Sequence, residues 1–341
     1  MAEAHPYWRT VLLSSVFAVG MTACAFTHSY AQEPPSPPVG TVQQDSYRLP
    51  AAVQNFYLDG SAAQHCATVD GRGTTSTDVQ RDARILRTTL NLFPMGHAAV
   101  IDLEQSGTVL CFENQTFSDA SGTVVRNAEF RREMNMFRLT RPDVGQIMHE
   151  WKHKHDDIDF NSFEYTPRSA IMLLRVAEGG AYAYEVMARY EARRQGIFVP
   201  NYPEHSFLAK IENAFHDTLR NGGTIEEAWR SAFDASFNSS VADSYTDNVL
   251  AAYEQASNLP GYRLRDGFAS VNVTDDVLMR VALPPGWGTE TFTRTGSSTL
   301  LTNAFYNGTQ LRQQVRLERL ETELGSSHLE HPADSHPSPL H

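Results

Sequence analysis

Thr140-Arg141-Pro142-Asp143-Val144-Gly145-Gln146-Ile147-Met148-His149-Glu150-Trp151-Lys152-His153 carries a helix start and a chemical pattern together. A Thr cap, a Pro in the first turn and an acid three residues after the cap predict a helix opening near Arg141. At roughly 100° per residue, Val144, Ile147 and Trp151 share one side, with Met148 at its edge. His149 and His153 fall one turn apart on the opposite side, and Gly145 shares their face. H-E-x-x-H on a helix lets two imidazoles share a tetrahedral zinc ion, with Glu150 beside it to move a proton of an attacking water. A chain with 13 histidines meets such a five-residue pattern by chance at a rate of roughly a few per cent. A solvent-facing chance match could also set its histidines opposite an apolar stripe, so the wheel supports a site without proving one.

A catalytic zinc takes a third protein ligand and leaves one position open. Glu178 is the candidate. It sits in Arg175-Val176-Ala177-Glu178-Gly179-Gly180-Ala181, among apolar residues where an unpaired carboxylate is costly to bury. Leu174, Tyr182 and Glu185 share its side at helical spacing, and Gly179 and Gly180 let another backbone approach closely. The rival is Asp159, which stands where H-E-x-x-H-x-x-G-x-x-H sites place their last ligand. The turn glycine of that pattern is replaced by Asp156, and Asp156, Asp157 and Asp159 read as a solvated loop. His155 points away from the shared face and is set aside. An exposed or salt-bridged helix acid is the bland alternative for Glu178.

His149-Glu150-x-x-His153 followed by Glu178 on a second helix resembles the gluzincin branch of the zincin metallopeptidases. Glu178-Gly179-Gly180-Ala181 is similar to the E-A-x-A type of second-helix motif, with Gly-Gly in place of the Ala-rich pair. An uncharacterised bacterial family of metallopeptidase type is closer still. The likeness covers about residues 129–195. It implies zinc as cofactor, ligands His149, His153 and Glu178, and Glu150 as general base and acid. It also implies a peptide or protein substrate, paired with an edge strand just before the first helix, where 129–139 stands. A transition-state donor is usually Tyr, His or Arg in such sites; Tyr182, Tyr184 and Tyr245 are candidates, each also readable as a packing aromatic.

The 341 residues are 41% hydrophobic and 20% charged, an ordinary globular composition. A net charge of -12 argues against a nucleic-acid-binding surface. Residues 1–31 read as a secretory signal peptide: Arg9 flanks an apolar stretch from Val11 to Phe26 that is too short for a comfortable span, and Ser29-Tyr30-Ala31 suits cleavage before Gln32. Met21-Thr22-Ala23-Cys24 keeps open a lipid anchor at Cys24. Cys66 and Cys111 then remain as a pair in an oxidising compartment, so a disulfide is expected, contributing roughly 3–4 kcal/mol. The expected location is periplasmic or extracellular.

Residues 32–50 read as a flexible linker, 51–258 as the zincin-like domain, 259–324 as a helical and loop extension, and 325–341 as a disordered tail. The expected fold is α+β, a small antiparallel sheet packed on a mostly helical domain. Helices are predicted at 77–90, from 141, at 166–195, 204–221, 226–237, 243–257 and 311–324. Strands are predicted at 98–104 and 108–113, joined as a hairpin around Ser106-Gly107, and at 129–139. Thr224-x-x-Glu227 is a capping-box pattern. The expected function is zinc-dependent peptide hydrolysis. Two alternatives stay open: a zinc-binding envelope protein without turnover, and a protein in which the two histidines are incidental.

Overall fold

The computed structural model describes residues 48–57, 60–112, 117–118, 124–125, 128–156, 163–237, 239–259, 268–295, 300 and 310–329. The signal-peptide segment, Cys24 and most of the linker lie outside them, as do Asp157, Asp159 and the tail beyond Leu329. The fold is α+β: many helices and one four-stranded sheet. The chain divides into two units, and the division falls inside one long helix, after Gly179.

The unit formed by Gly20–Asp156 and Gly180–Ala235 holds the sheet. Two short helices, α1 (Ala51–Phe56) and α2 (Ala62–His65), lead into strand β1 (Cys66–Thr68). Helix α3 spans Thr77–Leu90 as its apolar spacing predicts, burying Val79, Ala83, Leu86 and Leu90, with Ser76 capping the Val79 amide. Residues 98–104 do not form a strand. They belong to α4 (Pro94–Ser106), which Pro94 opens and Gly107, at φ 64°, closes in the left-handed conformation. Buried Gly96, Ala99, Val100 and Leu103 make its inner face. The expected hairpin is therefore absent, and β2 (Val109–Phe112) finds its partners elsewhere.

Two-residue strands β3 (Phe117–Ser118) and β4 (Val124–Val125) pair as a separate ribbon. The predicted strand 129–139 is two strands. β5 (Glu129–Arg131) and β6 (Met136–Leu139) are antiparallel, joined through a 3-10 turn and Asn135 at φ 47°. The sheet order is β1-β2-β6-β5, and β2 runs parallel to β6. The sheet is thus mixed rather than antiparallel, because β2 lacks a hairpin neighbour and takes β6 through a long crossover. β6, the strand just before the histidine helix, is internal; β5 is the edge strand on that side.

Cys66 and Cys111 face each other across β1 and β2, fully buried, and form a disulfide with Cα atoms 4.0 Å apart. They sit in an apolar cluster with Leu49, Val53, Ala62, Val109 and Met136.

Helix α5 (Val144–His155) follows β6. It starts three residues later than predicted, because Asp143 rather than Thr140 is the cap: its Oδ1 accepts from the amides of Gly145 at 2.8 Å and Gln146 at 3.2 Å. Helix α6 (Pro167–Arg194) is an unbroken run of 28 residues, with Gly179 and Gly180 buried in its middle. α7 (Phe207–Arg220) and α8 (Ile225–Phe237) come next, capped by Ser206 and by the reciprocal Thr224–Glu227 capping box.

The unit formed by Asp157–Gly179 and Ser236–His341 contains the first part of α6, then α9 (Ser240–Ser257), α10 (Asp275–Ala282), α11 (Glu290–Thr295) and α12 (Leu311–Leu329). No helix is predicted at α10 or α11, and α12 runs five residues past its predicted end at Leu324. Ile171, Leu174, Val249, Leu250, Tyr253, Phe268, Leu317 and Leu320 form this unit's core. Asp247 and Glu254 on α9 pair with Arg312, Arg316 and Arg319 on α12. Among the described residues no helix is long and apolar enough to cross a membrane.

The disulfide spans 45 residues, which makes its chain-entropy contribution about 4 kcal/mol. Replacing Cys66 and Cys111 by Ala is expected to lower the unfolding free energy in urea by about that amount; an unchanged midpoint would contradict the bridge.

Candidate metal centre

α5 packs against β5, β6, α3 and α4, and it is buried on both faces rather than amphipathic toward water. On its apolar side the Trp151 indole donates to Asp102 Oδ2 of α4 at 2.9 Å, and its ring stacks on Tyr184 of α6 with centroids 5.7 Å apart. On the other side the His149 ring lies 4.6 Å from the Tyr182 ring. Helix α5 is thereby fixed in rotation, which decides where its histidines aim.

The two Nε2 atoms of His149 and His153 lie 3.2 Å apart. Two nitrogens each about 2.0–2.1 Å from one tetrahedral metal would stand about 3.3 Å apart. Glu178 of α6 completes the group: one ligand atom from each of His149, His153 and Glu178 lies within 4.8 Å of the others. These three residues could hold a metal ion. Glu178 and His149 are buried and His153 is half-buried. Glu150 is buried as well, at 5% exposure.

Each of the three has an orienting group. His149 Nδ1 faces Glu185 Oε2 at 3.3 Å. His153 Nδ1 lies 3.0 Å from Asp156 Oδ2. The Tyr245 hydroxyl donates to Glu178 Oε2 at 2.8 Å. A carboxylate at Nδ1 favours the proton on that nitrogen, which turns the Nε2 lone pair outward as a ligand. With both histidines so arranged, two lone pairs face each other across 3.2 Å, a spacing that a cation between them would make favourable.

Asp156 departs from the solvated loop expected of it. It is 3% exposed, caps α5 through its amide to the His153 carbonyl, and pairs with the buried ammonium of Lys152. Burial alone would raise its carboxyl; Lys152 and His153 beside it outweigh that and hold it below the usual carboxylate range. Its neighbour in the expected loop, the rival ligand Asp159, lies outside the described residues.

Of the tyrosines, Tyr245 touches the proposed ligand and Tyr182 packs on His149. Tyr184 is a packing aromatic whose hydroxyl burial pushes far above its usual range. His155 turns from the site: its Nδ1 lies 2.9 Å from the Trp151 carbonyl oxygen.

Glu185 shares the side of α6 that carries Glu178, seven residues further on. Its neighbours explain its place. The Tyr202 hydroxyl donates to Glu185 Oε1. Burial, with Glu185 alongside, pushes the Tyr202 phenol well above its ordinary range, so it remains a donor. Gly145 matters sterically: a Cβ there would sit 2.5 Å from Glu185 Oε1.

Asp156→Asn is expected to cost about 3–5 kcal/mol of stability, because it leaves the Lys152 ammonium buried without its counter-charge. Chemical denaturation measures it, and a loss below about 1 kcal/mol, the scale of an exposed pair, would contradict that burial.

Comparisons with protein-family models, with curated proteins and with solved structures found no match to this chain.

Proposed function

We propose that the protein is a zinc-dependent hydrolase, most simply a peptidase, working at His149, His153 and Glu178. The observation that carries the proposal is the pair of imidazole Nε2 atoms 3.2 Å apart, grouped with the Glu178 carboxylate. Two nitrogens and one carboxylate oxygen are a donor set of catalytic zinc sites, with a fourth position for water or substrate. Bound there, the ion would supply Lewis acidity and a water reactive near neutral pH.

The remaining chemistry belongs to the chain. Glu150 follows His149 directly and is buried. It takes the proton of the attacking water at a carboxylate oxygen, then gives it to the leaving amine nitrogen. Tyr245, through Glu178, holds one carboxylate oxygen away from rotation. Tyr182 closes the side of His149 against water. The edge strand β5 beside α5 offers an extended peptide a backbone to pair with. Export fits the chemistry of the chain, since a buried disulfide persists in an oxidising compartment.

Glu150→Gln is expected to keep zinc and lose about 10²–10⁴-fold in hydrolysis of a mixed peptide library, the range general acid–base catalysis supplies. Unchanged turnover would remove the Glu150 role, and zinc retained with no turnover in either protein would leave a binding protein. Glu178→Ala should weaken zinc far more than Asp159→Ala in chelator competition; the reverse ranking would replace the third ligand.

A further inference from the structure

Resting on the metal site just proposed, we infer that Tyr202 and Glu185 form a buried positioning relay that sets the orientation of His149. The pieces come from three places in the chain. Glu185 lies on α6, seven residues past Glu178, and is 6% exposed. Its Oε2 lies at ion-pair distance from His149 Nδ1, 3.3 Å, without the alignment of a hydrogen bond, and its Oε1 accepts from the Tyr202 hydroxyl. A carboxylate with one oxygen held by a donor and the other against an imidazole has little freedom to rotate, so it fixes the plane of the ring it meets.

Tyr202 is itself held from below and behind. The Arg189 guanidinium lies over its ring, 3.8 Å from the centroid. Arg189 and Arg193, one turn apart on α6, both donate to the Pro200 carbonyl, two residues before Tyr202. Both arginines also reach Glu212 of α7, at 3.5 and 2.7 Å. The loop that carries Tyr202 is thus tied to the same helix that carries Glu185. Gly145 supplies the last condition: any side chain there meets Glu185 Oε1.

Glu185 and Tyr202 are positioning residues, since neither belongs to the ligand set. The test uses the full chain, with zinc alone for affinity and cobalt(II) alone for a spectrum. Glu185→Gln keeps the volume and removes the charge; it should weaken zinc about 10–100-fold and shift the visible cobalt band. Tyr202→Phe should move both readouts the same way by less. Tyr184→Phe, which leaves the relay intact, should move neither. Wild-type affinity and an unshifted cobalt spectrum in both relay variants would overturn the relay while leaving the metal site standing. No zinc bound by the wild-type chain would overturn the metal site, and the relay with it. Should Glu185→Gln fail to fold, Tyr202→Phe decides by the same two measurements.

Discussion

Two imidazole nitrogens pointed at each other across 3.2 Å are the constraint on which the rest of this structure depends. A carboxylate behind each ring favours the proton on the far nitrogen, which turns both Nε2 lone pairs toward the space between the rings, where a cation would relieve their repulsion. Glu185 stands behind His149 and Asp156 behind His153. Burying such carboxylates costs free energy unless they are paired, and here the pairing is explicit: Lys152 for Asp156, and Tyr202 with Arg189 for Glu185.

The scaffold follows from that need for fixed directions. α5 cannot turn about its axis, because Trp151 is bonded to Asp102 and stacked on Tyr184 while His149 packs on Tyr182. α6 supplies Glu178, Tyr182, Tyr184, Glu185 and Arg189 from one unbroken helix. A continuous helix is a rigid ruler, about 1.5 Å per residue, so groups at 178, 182 and 185 keep their spacing without help from loops. Gly145, without a side chain, leaves room for Glu185 to approach the first turn of α5.

Much of this was legible in the residues. The apolar spacing of 77–90 and the Thr224–Glu227 box each describe an observed element. His149, His153 and Glu178 are brought together from sequence positions that spacing and burial cost alone had singled out. Residues 98–104 misled because Val100 and Ile101 in a short apolar run fit strand or helix; Pro94 and Gly107, at the two ends, were the arbiters. The strand 129–139 broke at Asn135, whose left-handed backbone no period reveals. Asp156 looked like one of several loop acids, yet it lies three residues past His153 and four past Lys152, which is helical contact distance for both. Glu185 and Tyr202 meet only because a loop folds back over α6, and no local pattern encodes that return.

The most direct measurement is anomalous diffraction at the zinc edge from crystals of the zinc-loaded full chain. The account predicts one strong peak about 2.0–2.2 Å from His149 Nε2, His153 Nε2 and a Glu178 oxygen. A peak at the histidines of the C-terminal tail alone, or none within reach of His149 and His153, would contradict it.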